Sequence, residues 1–458
     1  MTHSPLRRND CYPPQQAWSN RGHFQSHYIP NTTDEQAEML AALGIDSIDH
    51  LFDDIPDQFR NPALDLPAPL SELEIQKELA GMAAKNRPLG SGPSFLGAGS
   101  YDHFIPAIIK PLITRGEFIT AYTPYQAEAS QGTLQVIYEF QTLVCNLYGM
   151  EVANAGMYDG ATSLAEAALM ACRVTKREKV ALANSISPPY SAVIRTYCQS
   201  QDIAVEIVDP SSPALDGETA CIVLQYPNYF GYIEDLQKLV DSAHAQGALA
   251  VVSTDPTAMG MFQTPGHYGA DIVTGDGQPL GIPSSYGGPY VGLFATKQEY
   301  IRQMPSRLSG RTVDKNGKTG YVLTLQTREQ HIRRERATSN ICTNEALYAL
   351  AATVYLAAMG KQGLRQVAEL CYHKAHYAAA KIGELPGYSL PIDQQFFQEF
   401  VVQCPTSPTE INRKLMERNI LGGLDVSEKI SNGMLLCVTE MNSQEDIDTL
   451  VSALEESK

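Results

Sequence analysis

The chain has 458 residues, 43% of them hydrophobic, which is enough for two or three domains and a large core. Its net charge of −17, from 34 basic and 51 acidic residues, argues against non-specific nucleic-acid or anionic-membrane binding. No apolar run approaches the roughly 18 residues that span a membrane. The nine cysteines form no CxxC pair and read as reduced thiols of a cytoplasmic protein, and the ten histidines show no metal-ligand spacing.

Met1–His27 stands apart. It is polar, carries Pro13-Pro14-Gln15-Gln16 and the only tryptophan, Trp18, and lacks the apolar segment of a secretory signal. It reads as a disordered extension or a misplaced start codon. Residues 28–93 read as a helical arm. Thr32-x-x-Glu35 is a capping box that opens a helix through Leu43, with Gly44 as its stop. Ser71-x-x-Glu74 opens a second helix, to about Asn86. The proline-rich link between them, Pro62 to Pro69, suggests a surface arm, either simply packed or wrapped onto a partner subunit.

Residues 94–343 read as a large α/β domain. Ser94–Gln131 is dense in Gly, Tyr and Pro, too irregular for one element and too apolar for a linker. Its polar tips are Tyr101, Tyr122, Tyr125, Gln126 and Glu128, and the tyrosines either fill gaps in a core or serve a site. Ser130 is the predicted cap of a helix with the apolar face Leu134, Ile137, Val144 and Leu147, ended by Gly149. Asp159-Gly160-Ala161-Thr162-Ser163 then leads into an alanine-rich helix, Leu164–Val174. Thr162 and Ser163 at a helix start offer an anion site where free N–H groups meet a phosphate, or one of them is merely the N-cap.

After this the pattern alternates. Strand-like runs at Lys179–Ala183, Ile203–Val208 and Ala220–Tyr226 are separated and followed by helical runs at Ser191–Ser200 and Ile233–Gln246. That alternation predicts βαβ crossovers and a mostly parallel sheet, with ligands at the carboxyl ends of its strands. Three more strand-like runs follow: Ala248–Val252, Ala270–Thr274 and Tyr290–Ala295. The first ends on Asp255, and the second ends in the loop Gly275–Gly281 with Gln278 at its middle. An acid and then a loop residue at one sheet end resemble a pyridoxal-phosphate (PLP) site, where a carboxylate pairs with the pyridine nitrogen and a later lysine forms the Schiff base. The loop holds no lysine. Lys297 and Lys315 are the nearest candidates downstream.

Arg328–Arg336 packs Arg328, Arg333, Arg334 and Arg336 into nine residues, either a carboxylate- or phosphate-binding patch or a solvated helix face paired with Glu329 and Glu335. Residues 344–458 read as a long linking helix and a small C-terminal α/β domain. Its predicted strands are Phe400–Gln403 and Met434–Thr439, and its predicted helices Pro408–Arg418 and Gln444–Glu455.

Five runs together resemble one family: Tyr122–Val144, NAGMYDGATSLAEAAL (Asn154–Leu169), STDPTAMG (Ser253–Gly260), GQPLGIPSSYGGPYVGLFAT (Gly277–Thr296) and REQHIRRERATSNICTNEAL (Arg328–Leu347). They resemble the glycine cleavage system P-protein, in the alpha-subunit form found where the enzyme is split in two. The resemblance implies a fold-type I PLP-dependent transferase-like architecture. It also implies a complex that decarboxylates glycine through PLP and passes the aminomethyl group to the lipoyl arm of the H-protein. Its expected partner is a beta subunit that carries the Schiff-base lysine and holds the PLP, in an alpha2beta2 assembly. Gln278 falls about where that lysine would lie, and an amide is not a usable nucleophile. The expectation is therefore a chain without catalytic residues and with a degenerate pseudo-site at Asp255, Thr162 and Ser163. Tyr122, Tyr125, Gln126 and Arg311 are the candidates for a wall at the active-site entrance. The competing expectations are a docking module for the lipoyl carrier and a stand-alone PLP enzyme using Lys297 or Lys315.

Overall fold

A computed structural model describes residues 31–60, 70–341 and 344–457. The expectations for Met1–His27 and for the Pro62–Pro69 link lie outside these residues. The chain forms two compact units, residues 1–86 and residues 87–458.

In the first unit both capping boxes form. Thr32 and Glu35 open α1 (Thr33–Leu43), and Gly44 closes it in the left-handed conformation at φ +70°. Ser71 and Glu74 open α2 (Glu72–Ala83), which stops three residues short of the expected Asn86. None of the residues of either helix is buried, and Leu43, Phe52, Phe59 and Leu79 stand exposed.

The second unit is built on a seven-stranded sheet of order β1-β7-β6-β5-β4-β2-β3. The strands are β1 (Val152–Ala153), β2 (Lys179–Ala183), β3 (Ala204–Val208), β4 (Thr219–Tyr226), β5 (Leu249–Thr254), β6 (Ile272–Asp276) and β7 (Gly292–Thr296). β7 is antiparallel to both neighbours, and the pairings among β3, β2, β4, β5 and β6 are all parallel. Near-continuous apolar runs such as Cys221–Leu224 and Leu249–Val252 suit strands covered on both faces. The short edge strand β1 was not expected.

The helices around the sheet are α3 (Gln131–Tyr148), α4 (Gly160–Thr175), α5 (Pro188–Gln199) and α6 (Leu236–Ala245). Ser130 stands at the N-cap position of α3, but its side chain makes no capping bond, so the expected cap is corrected. α4 begins four residues earlier than expected. Asp159 caps it, not Thr162 or Ser163, with its carboxylate taking the Thr162 N–H. Eleven of its residues are buried, including Ala165, Ala167, Ala168 and Ala171. Small side chains let this helix lie close against the strands.

A hairpin follows the sheet, β8 (Leu308–Val313) and β9 (Thr319–Thr324), which the sequence reading missed. Its signal was present, since Asn316-Gly317 is a common hairpin turn pair. α7 (Ala346–Gly383) then runs 38 residues with a break at Gly360, where φ is +61°. Its first half packs on the sheet core and its last turns on a second core. That core holds a three-stranded antiparallel sheet of order β10-β12-β11: β10 (Glu399–Gln403), β11 (Leu424–Asp425) and β12 (Gly433–Cys437). α8 (Pro408–Glu417) and α9 (Gln444–Glu456) cover it. Among the described residues no helix is long and apolar enough to cross a membrane, and the seven described cysteines are unpaired.

Candidate active-site cleft

The cleft lies at the carboxyl ends of β4, β5 and β6, the end where open α/β sheets bind ligands. Each of its acidic residues is delivered by backbone architecture. Asp255 follows β5, Asp276 is the last residue of β6, and Glu399 is the first residue of β10. Tyr101, Tyr190 and Gln398 are among the other polar residues that line it.

The three carboxylates are each engaged at both oxygens. Asp255 accepts the Thr257 N–H at 2.8 Å and the Gln398 Nε2–H at 2.8 Å. Asp276 accepts the Gly160 N–H at 3.0 Å and the Gln278 N–H at 2.9 Å. Glu399 accepts the Ala98 N–H at 2.6 Å and the Tyr101 hydroxyl at 2.9 Å. Burial dominates their protonation. It raises the Asp255 carboxyl above the ordinary range and pushes the Asp276 and Glu399 carboxyls up to about 7. Backbone donors oppose the rise at each group without reversing it.

Gln278 is 1% exposed and its amide is fully committed. Its Oε1 accepts the Tyr101 N–H at 2.9 Å, while its Nε2 donates to Tyr101 O at 2.9 Å and Ile282 O at 2.8 Å. It clamps the Tyr101 loop to the Gly275–Gly281 loop. Thr162 and Ser163 do not form an open anion site. The Thr162 N–H goes to Asp159 Oδ1 at 2.8 Å, and the Ser163 N–H and hydroxyl both go to Asp159 O. The Gly160 N–H at the same helix start is the one held by Asp276.

These donors do not make a PLP site. The position expected for the lysine is an amide engaged in three hydrogen bonds. The helix start that would cradle a phosphate already faces two carboxylates, Asp159 and Asp276. The other lysines are no nearer. β6 and β7 are antiparallel with Ile272 opposite Thr296, so Lys297 sits beside the start of β6, at the far end from the cleft. There it bonds Asp271 and Gly269 O. Lys315 is exposed in the β8–β9 turn.

The four wall candidates lie away from the cleft lining. Tyr122 is 75% exposed, and Gln126 and Arg311 are also exposed. Tyr125 meets the His331 ring at 5.3 Å between centroids, with the Arg307 guanidinium 5.7 Å from its own. Gln131 bonds Ala127 O and both backbone groups of Tyr321, the residue paired with Arg311 across the hairpin. The Ala127–Ala129 turn and the hairpin are thus tied together. Of the arginine run, Arg328 is buried and donates to the carbonyls of Met304 and Ser306, while Arg333, Arg334 and Arg336 are exposed. The segment is one helical turn, Gln330–Arg333, and a 3-10 turn, Arg334–Arg336.

The profile described as "Glycine cleavage system P-protein" matches residues 26–454. The chain belongs to the glycine cleavage system P-protein family. A relative from Thermomicrobium roseum, "Probable glycine dehydrogenase (decarboxylating) subunit 1", is 52% identical over 444 residues, which are 94% of this chain and 99% of the relative. One of the same description from Desulforamulus reducens is 50% identical over 93% of this chain and 99% of its own. The crystal structure of an inhibitor-bound glycine decarboxylase (P-protein) of the glycine cleavage system aligns at a TM-score of 0.89 and 42% identity, covering 94% of this chain and 99% of that one. A Lactobacillus brevis glutamate decarboxylase shares the fold alone, at 12% identity and a TM-score of 0.62 over 89% of this chain and 97% of that one. The architecture is that of fold-type I PLP-dependent enzymes.

Within this P-protein family member, sequence reasoning missed Asp276, Gln398, Glu399 and Tyr190. Asp276 carried a local signal, an acid closing a strand two residues before Gln278. Gln398 and Glu399 did not, because they belong to the C-terminal sheet and reach the cleft only through the packing of the two cores.

Glu399 leads to a pH prediction. Its carboxyl titrates near 7 when folded and near its ordinary, lower value when unfolded, so the folded state holds the extra proton between them. Stability from this group is full below its ordinary value and is lost as pH rises through about 7. Asp255 acts in the same direction as burial, while the Ala98 N–H and the Tyr101 hydroxyl oppose the rise. The melting temperature of the wild-type chain should fall from about pH 5 to about pH 8, and Glu399→Gln should flatten that fall. Parallel curves for the two proteins would show that Glu399 does not carry the effect.

Proposed function

We propose that this chain is the alpha subunit, subunit 1, of a glycine dehydrogenase (decarboxylating), and that it has no Schiff-base chemistry of its own. It pairs with a second, beta-type subunit that holds PLP, as an alpha2beta2 assembly in the cytoplasm. The complex decarboxylates glycine, with PLP supplying the electron sink, and delivers the aminomethyl group to the lipoyl arm of an H-protein. The observation that carries this reading is Gln278. A buried amide bound to Tyr101 and Ile282 stands in the loop position that the family resemblance gives to the lysine.

The contribution of this chain is then structural and steric. Tyr122, Tyr125, Gln126 and Arg311 are all exposed, and the turn after Gln126 is tied to the β8–β9 hairpin that carries Arg311, which suits a wall beside the partner's active site and the exclusion of water from it. The exposed apolar residues of α1 and α2 suit an arm that finds its burial on another chain.

The test is co-purification with the beta-type subunit, followed by glycine–bicarbonate exchange with each chain alone and with both. Exchange is expected only in the mixture. Exchange by this chain alone would overturn the reading, and so would a beta-type chain that is fully active without it.

A further inference from the structure

The cleft keeps the position of a PLP site but has the opposite charge. Asp255, Asp276 and Glu399 converge on it, and no lysine, arginine or histidine is among the described residues that line it. The N-terminus of α4, which would favour an anion, is already satisfied by side chains of this chain. Asp276 holds the Gly160 N–H and Asp159 the Thr162 N–H. Asp276 thereby occupies the N–H group that a phosphate would need.

A second observation points to a ligand with hydrogen-bond donors. Gln398 lines the cleft and is 2% exposed. Its Nε2 is spent on Asp255, and its Oε1 accepts no hydrogen bond among the described residues. A buried carbonyl oxygen without a donor is costly, and above the pH at which Asp255 and Glu399 ionise, about 7 for Glu399, neither neighbouring carboxylate can supply one. The carboxylates themselves still have acceptor capacity, since each oxygen takes one hydrogen bond and has room for another.

We infer that the cleft is a binding site for a small primary ammonium compound, whose three N–H donors satisfy Gln398 Oε1 and the carboxylates of Asp255 and Glu399. Three observations select this chemistry. Tyr101 and Tyr190 are among the lining residues, and aromatic rings attract organic cations. The space within the cleft is about 50 Å³, room for a few water-sized groups and so for an ammonium head group. The lack of any lining cation disfavours a zwitterion, because an amino-acid carboxylate would lie among three others. Phosphate esters are excluded for the same reason.

The experiment is calorimetric titration of the full-length isolated chain, above neutral pH and at constant ionic strength, with methylammonium chloride. Glycine, potassium chloride and inorganic phosphate are the other arms. Methylammonium is expected to bind with one-site saturation, with no binding of glycine or phosphate and weaker binding of potassium. Glu399→Gln and Asp255→Asn, each close in shape to the original, should weaken methylammonium by about tenfold or more, the loss of one charge-assisted hydrogen bond. Absence of methylammonium binding overturns the inference, as does binding that neither variant changes. Equal binding of potassium overturns the assignment to ammonium compounds. The titration uses this chain alone and reads heat, so its outcome is independent of the exchange assay.

Discussion

Replacing Gln278 with leucine is expected to lower the melting temperature of this chain by about 5 °C, a loss of about 4 kcal/mol. The wild-type amide satisfies three backbone groups: the part-buried Tyr101 N–H and carbonyl and the buried Ile282 carbonyl. Leucine fills the volume but leaves all three unpaired, at about 1–3 kcal/mol each before relaxation. Thermal unfolding followed by circular dichroism measures it. A shift within experimental error would mean that the loops hold together without the clamp. The companion change, Gln278→Lys, restores an amine but leaves Asp276 and Asp159 at the helix start. It should therefore develop no visible absorbance on incubation with PLP, and a stable coloured complex would show that the carboxylates do not keep the cofactor out.

The second large effect is expected at Gly231, which abuts the start of β10. Gly231 sits at φ +89°, a conformation that side chains rarely adopt. A Cβ there would lie 2.0 Å from the carbonyl oxygen of Glu399 and 2.5 Å from its carbon. That neighbour is backbone in a strand core and cannot swing away. Gly231→Val should cost more than about 4 kcal/mol and abolish most of the soluble yield. The control is Gly217→Val, since a Cβ at Gly217 meets nothing within 4 Å. Its melting temperature should match the wild type. Equal soluble yields for the two variants would show that the β10 junction yields more easily than its packing implies.

The cleft explains why part of the site was hidden from the sequence. Asp255 and Gln278 could be found because each lies where a β-branched run meets a loop, a boundary visible within a few residues. Thr162 and Ser163 were found but misread. A helix start rich in hydroxyls suggests an open anion site, yet Asp159 and Asp276 had already taken the N–H groups. Asp159 was adjacent in sequence and its capping role was legible. Asp276 was not, because its partnership with Gly160 depends on how α4 docks on β6. The family resemblance pointed to Asp255 and Gln278 but gave no role to Asp276, Gln398 or Glu399.

The amino-acid sequence by itself determined what acts over short range. The capping boxes at Thr32 and Ser71, the stop at Gly44, the βαβ alternation from Lys179 to Val252 and the lack of a lysine in Gly275–Gly281 follow from steric and hydrogen-bonding rules that span a few residues. Only the tertiary structure decided that Asp255, Asp276 and Glu399 share one cleft, that Gln278 faces Tyr101, and that Lys297 lies at the opposite end of the sheet. These facts depend on strand order, on the antiparallel setting of β7 and on the packing of the second core against the first. The carboxyls of Asp276 and Glu399 titrate near 7 for the same reason: desolvation is imposed by neighbours far away in the chain, and no local pattern encodes it.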